Sequence, residues 1–249
     1  MKIRILIVLC MFAAVVLMGV LLNREVTTRQ GIDYCWRTRT IPLYLKLIDF
    51  YSRHFNYQYL AGGICARAGS AQEKVLAVLN WSHANIRHTP PGFPVVDDHV
   101  WNIIIRGYGE DDQINDVFCV LCNYAGGLRA FMAPVASAVR PDRRIILSFV
   151  RMNGQWTAVD ACRGVYFVNT DGGLATLDEM KKGQWMIRNV VSVPARAVQT
   201  GDNGRFVLVK IGEETKEVAV KQGILGSNGE REILEGLVGG EEIVIPASK

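Results

Sequence analysis

An uncharged apolar run near the N-terminus constrains this chain more than any other feature. Ile5–Leu22 contains 18 residues without a charge, and Lys2 and Arg4 precede it. A helix needs about 20 apolar residues to cross a bilayer, so this run is long enough to span one. It is also longer than the apolar core of an ordinary signal peptide, and no cleavage motif of small residues follows it. We therefore predict an uncleaved signal-anchor helix over residues 1–23.

The charges on either side of the anchor predict its orientation. Positive residues on a short leading segment favour the cytoplasmic side of a membrane. Lys2 and Arg4 therefore place the N-terminus in the cytoplasm, although Arg24 and Arg29 on the far side reduce the charge difference. We expect a single-pass protein of the bacterial inner membrane, with periplasmic C-terminal domains and the inner membrane itself as a partner.

Charge and cysteine content narrow the classes of function. The net charge is +4 and the Lys and Arg residues are scattered, so the sequence gives no support for nucleic-acid binding. Five cysteines follow Cys10, an odd number without the dense spacing of a disulfide scaffold. Cys35–Cys65 is the first guess for a single bridge. We predict neither a cofactor nor a resident metal.

Helical periodicity dominates the region between the anchor and residue 107. Ile41–His54 carries apolar residues at helical spacing behind Pro42, a residue that favours the first turn of a helix. Ser70-Ala-Gln-Glu73 has the pattern of a capping box and predicts the start of a second helix. The Pro90–Pro91 pair ends this helical region.

The segment Gly107–Met132, GYGEDDQINDVFCVLCNYAGGLRAFM, combines a glycine-containing entry, a helix and a glycine-terminated exit. It resembles the nucleophile helix of the transglutaminase-like (papain-like cysteine) superfamily, in which a Cys stands two residues after a Gly at the helix start. Here Asp111 occupies the Cys position after Gly109. A helix start activates a thiolate, whereas a carboxylate there acts as a cap and is a weak acyl-transfer nucleophile. We therefore predict that Asp111 and Asp112 form an N-cap with an acidic first turn.

A second motif between residues 145 and 167 continues the resemblance. Asn153–Gly154 predicts a two-residue hairpin, Trp156 follows it, and Asp160 matches the acidic member of the superfamily's catalytic set. Counting back from Trp156 places the superfamily's His at or near Ile145, and no His follows residue 112. A thiol nucleophile needs a base beside it. The resemblance thus implies a degenerate domain in which Asp160 is vestigial.

Two alternative sites remain open. Cys119 and Cys122 are expected to be buried apolar positions of the predicted helix, yet either could be a displaced nucleophile paired with His99. That pair would make the protein a cysteine amidase, peptidase or acyltransferase. The other alternative is a metal site, although its residues lack the spacing of a typical helical site. Its ligands would be His88, Asp97, Asp98 and His99.

The composition changes at Val193, where short β runs alternate with turn signals. Three segments of this region carry a second resemblance: Val193–Pro194, the strand GRFVLV and Gly240-Glu-Glu-Ile-Val. Together they resemble the membrane-proximal domain of periplasmic adaptor (membrane-fusion) proteins of efflux and secretion pumps. In that family the domain rests on an inner-membrane transporter, which implies docking to a transport or secretion complex. Strands are predicted over 206–211, 216–221, 232–234 and 241–245, with turns at 202–204 and 227–229.

These motifs predict an α+β protein in three parts. Residues 1–23 are the anchor, 24–190 a degenerate transglutaminase-like domain, and 191–249 a small all-β, barrel-like domain, which residues 24–40 could complete. We expect a non-catalytic envelope scaffold that binds a peptide or glycan, and the cysteine enzyme above is the alternative. The candidate binding residues at the vestigial mouth are Gly107, Tyr108, Gly109, Trp101 and Trp156.

Overall fold

The computed structural model divides the chain into two compact units, residues 1–57 with 97–99 and residues 58–96 with 100–249. The fold is mixed, with helices and mainly antiparallel strands. The structure describes residues 2–30, 37–95, 99–136, 144–201, 204–212, 214–225, 230–237 and 239–245.

The first unit begins with a long apolar helix. This helix, α1, spans Lys2–Leu22 and contains a 20-residue apolar stretch, Ile3–Leu22. By length and composition it can cross a membrane, a property that signal sequences share. Strands β1 (Glu25–Gln30) and β2 (Arg37–Pro42) follow as an antiparallel pair.

Helix α2 differs from its prediction at both ends, because it spans Leu43–Ile64 rather than Ile41–His54. Ile41 and Pro42 pair with β1 and belong to the strand. At its other end the helix continues past His54, because further apolar residues at helical spacing give its last turns a buried face. These buried residues are Tyr57, Ala61 and Ile64.

Helix α3 spans Ala71–Asn85 and begins at the predicted cap. The Ser70 Oγ accepts a hydrogen bond from the backbone N–H of Glu73 at 3.2 Å, which confirms the N-cap. The Glu73 carboxylate, however, accepts from the N–H of Gly69 at 2.7 Å, one residue earlier than a standard capping box. Gly69 and Ser70, the two residues before α3, are therefore both hydrogen-bonded to Glu73 in its first turn.

Helices α4 (Val100–Arg106) and α5 (Asp111–Tyr124) follow. The prediction that Asp111 and Asp112 provide the cap of α5 is wrong in one respect, because the N-cap residue is Glu110. The Glu110 N–H donates to the Gln113 side chain at 3.1 Å, and Asp111 is already the first helical residue. The acidic first turn is confirmed and suits the positive end of the helix dipole.

An antiparallel sheet packs against α5, with the described strands in the order β5-β6-β7-β8-β9. The two-residue turn Asn153–Gly154 joins β6 to β7 with positive φ at both residues (51° and 84°), which confirms the predicted hairpin. A short helix, α6 (Leu177–Lys181), lies between the last two strands in sequence. The strands are β5 (Arg129–Ala136), β6 (Arg144–Met152), β7 (Gln155–Asp160), β8 (Val165–Val168) and β9 (Met186–Asn189).

The core of this region forms between α5 and the sheet. Val117, Phe118 and Leu121 of α5 are fully buried, as are Val150 of β6 and Val159 of β7. These side chains share one helix face and one sheet face, the arrangement that positions the start of α5 beside the end of β7.

The chain after residue 190 forms strands around a small separate core. Strands β10, β15 and β14 make one antiparallel sheet; β11, β12 and β13 make another, with β16 also paired to β12. The buried core residues are Val193, Ala197, Val207, Val209, Val220 and Ile233. The strands are β10 (Val191–Pro194), β11 (Gln199–Gly201), β12 (Gly204–Ile211), β13 (Glu214–Ala219), β14 (Lys221–Leu225), β15 (Glu230–Glu235) and β16 (Glu242–Val244).

These observed strands refine the predicted ones. The strand predicted over 216–221 corresponds to β13, which ends at Ala219, and Lys221 instead begins the separate strand β14. Strand β15 is longer than the predicted 232–234. Most of each predicted turn, at 202–204 and 227–229, lies outside the described residues. Closure of the two sheets into one barrel, with or without residues 24–40, stays a prediction.

Candidate functional site

A short parallel pair of strands brings His88 to the start of α5. Strand β3 (Arg87–His88) pairs with β4 (Tyr108–Gly109), and His88 lies opposite Gly109. The His88 Nε2 atom is 3.3 Å from Oδ1 of Asp111 and 3.5 Å from Oε2 of Glu110. The His88 side chain is 57% exposed, so this part of the site is open to solvent.

The turn after β7 brings Asp160, Cys162 and Arg163 to the same place. The Arg163 N–H donates to Oδ1 of Asp160 at 3.1 Å, and its guanidinium donates to Oδ2 at 2.8 Å. The same guanidinium donates to Oδ2 of Asp111 at 2.9 Å. The Cys162 thiol donates to Oδ1 of Asp111 at 3.2 Å. Arg163 thus bridges the end of the strand and the start of the helix.

The surroundings of Asp111 favour its carboxylate form. Partial burial raises the pKa of Asp111, but hydrogen bonds from the Cys162 thiol and the Arg163 guanidinium outweigh it. The positive charges of Arg163 and His88 add to this effect, so the pKa lies below its ordinary value. The Asp111 side chain is therefore an anionic hydrogen-bond acceptor.

A buried polar network beneath Asp111 fixes α5 to the sheet. The Asn115 Oδ1 accepts from the Ser148 hydroxyl at 2.8 Å and from the N–H of Ala161 at 3.1 Å. The Asn115 Nδ2 donates to the carbonyl of Asp111 at 2.8 Å. Asn115 and Ser148 are fully buried, so these bonds are shielded from water. The network sets the register of the helix start against β6 and the end of β7.

The described thiols near this helix are protonated at neutral pH. Burial raises the pKa of Cys119 to about 12, against a partly opposing hydrogen bond with Ser148. Burial also raises the pKa of Cys122 well above its ordinary value. For Cys162, burial and then the Asp111 and Asp160 carboxylates raise the pKa to about 12. The expectation that Cys119 and Cys122 are buried apolar positions is confirmed.

The other partners of the alternative sites are located as follows. In the first unit, the His99 Nδ1 lies 3.2 Å from the Tyr57 hydroxyl, and the two rings stack. Asp97 and Asp98 lie outside the described residues, as does Cys35 of the predicted bridge. Within the described ranges, no group of three or more His, Cys, Asp or Glu side chains is placed to hold a metal ion.

Ile145 and Trp156, two of the residues singled out from the sequence, face away from α5. Ser148 bonds to α5, and side chains alternate along a strand, so Ile146 rather than Ile145 shares its face. Ser148 pairs with Val159, which places Trp156 on the opposite face of β7. There Trp156 packs edge-on against Phe131, with ring centroids 5.1 Å apart.

The predicted glycine-rich mouth lies directly before the site. Gly107 has φ +71°, which ends α4 and turns the chain into β4. The Tyr108 ring packs edge-on against Phe93, and the Arg106 guanidinium lies 5.4 Å from its centroid. At Gly109 an added Cβ would lie 2.9 Å from Oε1 of Gln113, so a larger residue would displace the Gln113 side chain. Trp101 belongs to α4 and is half-buried.

Sequence reasoning missed the residues that hold the β7–β8 turn. Arg163 was not identified, although Asp160-x-x-Arg163 after a strand is a spacing that permits an ion pair across a turn. His83 was also missed: its Nδ1 lies 3.1 Å from the carbonyl of Cys162. Its ring packs against Gly164, where an added Cβ would come within 2.8 Å. His83 and Cys162 are 79 residues apart in the sequence, so no local pattern predicts this contact between α3 and the β7–β8 turn.

No protein-family model matches the chain, and no curated protein matches it. Among solved structures, a "putative cysteine protease" from Cytophaga hutchinsonii is 20% identical with a TM-score of 0.38, over 54% of this chain and 46% of that one. A "putative protease" from Parabacteroides distasonis is 12% identical with a TM-score of 0.33, over 82% of this chain and 55% of that one. The chain thus matches about half the length of these structures, and at these TM-scores the likeness carries no argument about activity.

Proposed function

We propose that this chain is a membrane-anchored, non-catalytic cell-envelope protein in which residues 24–190 form a degenerate transglutaminase-like domain. The observation that carries the proposal is the Asp111 carboxylate at the first residue of α5. It accepts from Cys162 and Arg163, and His88 lies beside it. A thiolate is the group that attacks amide carbonyls at such a helix start, and a carboxylate held by three partners does not replace it.

The protonated state of the nearby thiols supports the same conclusion. A displaced nucleophile must be accessible and must ionise near neutral pH. Cys119 and Cys122 are buried with raised pKa values. The Cys162 thiol also has a raised pKa, and it donates to the Asp111 carboxylate, whose lowered pKa makes it a weak base. The site can therefore hold a ligand by hydrogen bonds and charge, and none of the described thiols near it is activated.

A groove in the second unit supports a role in binding. It has a volume of about 790 Å³ and lies between α3, the β8–β9 edge of the sheet and strand β15. Amide and charged side chains line it together with apolar ones, a mixture that suits a segment of peptide or glycan. The lining residues include Gln72, Asn169, Arg188, Tyr166, Met186 and Glu235.

Docking to a transport or secretion complex is the second part of the proposal. It is supported by the resemblance of residues 191–249 to the membrane-proximal domain of adaptor proteins. Crosslinking of the full chain in native membranes tests it. A transporter subunit among the crosslinked products is expected, and its absence from all of them would remove this part of the proposal.

Thiol labelling of the folded protein tests the non-catalytic claim. The full chain in detergent is exposed to a thiol-directed electrophile at neutral pH, and labelled peptides are identified by mass spectrometry. We expect Cys119, Cys122 and Cys162 to stay unmodified until urea unfolds the chain. Native labelling of any of them that is lost on His88→Ala or His99→Ala would show an activated thiol and restore the enzyme alternative.

A further inference from the structure

Helix α2 presents an apolar stripe to solvent along its first four turns. Its members follow the i, i+3, i+4 spacing of one helix face, and their exposed fractions range from 37% to 62%. A contiguous exposed apolar surface of this kind marks an interaction site. The stripe consists of Tyr44, Leu47, Ile48, Tyr51 and Phe55.

The opposite face of the same turns is largely polar. At 100° per residue, most of the polar residues between Lys46 and Asn56 lie together on the side away from the stripe, whereas His54 lies at the edge of the stripe. Leu45 is an apolar exception on this side, and the exposed Phe50 lies between the two faces. Helix α2 is therefore amphipathic here, although the described protein leaves its apolar face uncovered. The polar residues are Lys46, Asp49, Ser52, Arg53 and Asn56.

A backbone hydrogen bond ties the start of α2 to the end of α1. The N–H of Leu43 donates to the carbonyl of Arg24 at 2.9 Å, and Arg24 lies two residues after α1 ends. The β1–β2 pair returns the chain to this point. The Lys46 Nζ also donates to the carbonyl of Thr27 at 2.9 Å. Leu43, the residue before the stripe, is therefore hydrogen-bonded to the chain two residues after α1 ends.

We propose that the first four turns of α2 lie in the interfacial region of the bilayer that α1 crosses, with the stripe facing the lipid. The inference rests on the membrane anchor of the proposed function. Tyrosine rings suit this depth because they are apolar with one polar end, and Tyr44 and Tyr51 are both in the stripe. Lys46 and Arg53 on the other face suit the headgroups and water. The first unit then contacts the membrane at two places along the chain, α1 and the first turns of α2.

Photocrosslinking in a lipid bilayer tests this inference. The full chain is reconstituted in vesicles of phosphatidylethanolamine and phosphatidylglycerol with photoreactive p-benzoylphenylalanine at Tyr51 or Phe55. A matched variant carries the same group at Ser52, on the polar face. We expect lipid adducts at Tyr51 and Phe55 in several-fold excess over Ser52, measured by mass spectrometry after irradiation.

Other outcomes would overturn the inference. Crosslinks from Tyr51 and Phe55 to a second copy of the chain would show that the stripe is a dimer contact. Equal lipid adducts at all three positions, or none, would show that the stripe does not face the bilayer. Alkaline carbonate treatment of the same vesicles separates the two proposals. Release of the chain would remove the anchor and this inference together, whereas retention without adducts at the stripe would remove this inference alone.

Discussion

At the scale of single residues, Asp111 interacts with groups of three different kinds. A thiol and a guanidinium donate to its oxygens, and an imidazole lies beside them. These partners lower the pKa of Asp111 even though partial burial raises it. Protonation of Asp111 would weaken all three contacts, so the folded state should bind this proton less readily than the unfolded chain does.

The pH dependence of stability should therefore change in Asp111→Asn. A carboxyl group with a lowered pKa in the folded state stabilises the protein above the unfolded pKa of about 3.9, and this contribution is lost as pH falls through the folded pKa. We expect wild type to exceed Asp111→Asn in free energy of unfolding near neutral pH, with the difference shrinking below about pH 4. Urea unfolding in detergent at a series of pH values measures this. A difference that does not vary with pH would contradict the ion-pair account.

At the scale of secondary-structure elements, Asn115 joins the start of α5 to β6 and the end of β7. Asn115→Ala would leave the buried N–H of Ala161 and the Ser148 hydroxyl without this acceptor. Each buried unsatisfied group costs about 1–3 kcal/mol, so we expect a loss of about 3 kcal/mol in the free energy of unfolding. Denaturant unfolding monitored by circular dichroism measures this loss.

Asn123 provides a matched control at the other end of α5. Its side chain also makes two backbone hydrogen bonds, both with Ala130, but it is exposed. Water can replace these bonds in Asn123→Ala, so we expect a loss of only about 0.5–1 kcal/mol. Equal losses for the two variants would show that the buried network does not fix the helix start.

Local sequence signals predicted elements better than they predicted the site. The Ser70 cap and the Asn153–Gly154 hairpin depend on neighbouring residues, and the structure confirms both. The start of α2 was misplaced because Pro42 also fits the end of a strand paired with β1. Arg163 is 52 residues and His88 is 23 residues away from Asp111 in the sequence. Hydrophobic periodicity carries no information about contacts between residues so far apart.

At the scale of the whole molecule, the apolar helix α1 has two interpretations that predict different products. An anchor stays attached to the chain, whereas a signal sequence is removed. We expect intact chain with residues 1–23 in the membrane fraction after alkaline extraction, because about 20 apolar residues bury enough surface to resist extraction. Intact-mass measurement of the expressed protein identifies the product. A soluble chain beginning after residue 22 would contradict the anchor.

We propose that the start of α5 retains the setting of a nucleophile but holds the Asp111 carboxylate in place of a reactive thiol. The most direct measurement is the pKa of the thiol that Asp111→Cys introduces, taken from the pH dependence of its alkylation by iodoacetamide. The helix start, Arg163 and His88 all favour a thiolate, so we expect a pKa below the ordinary value of about 8.5. Cys119 and Cys122 should stay unmodified in the same samples. A pKa at or above the ordinary value, or alkylation of the native thiols at a comparable rate, would contradict the account.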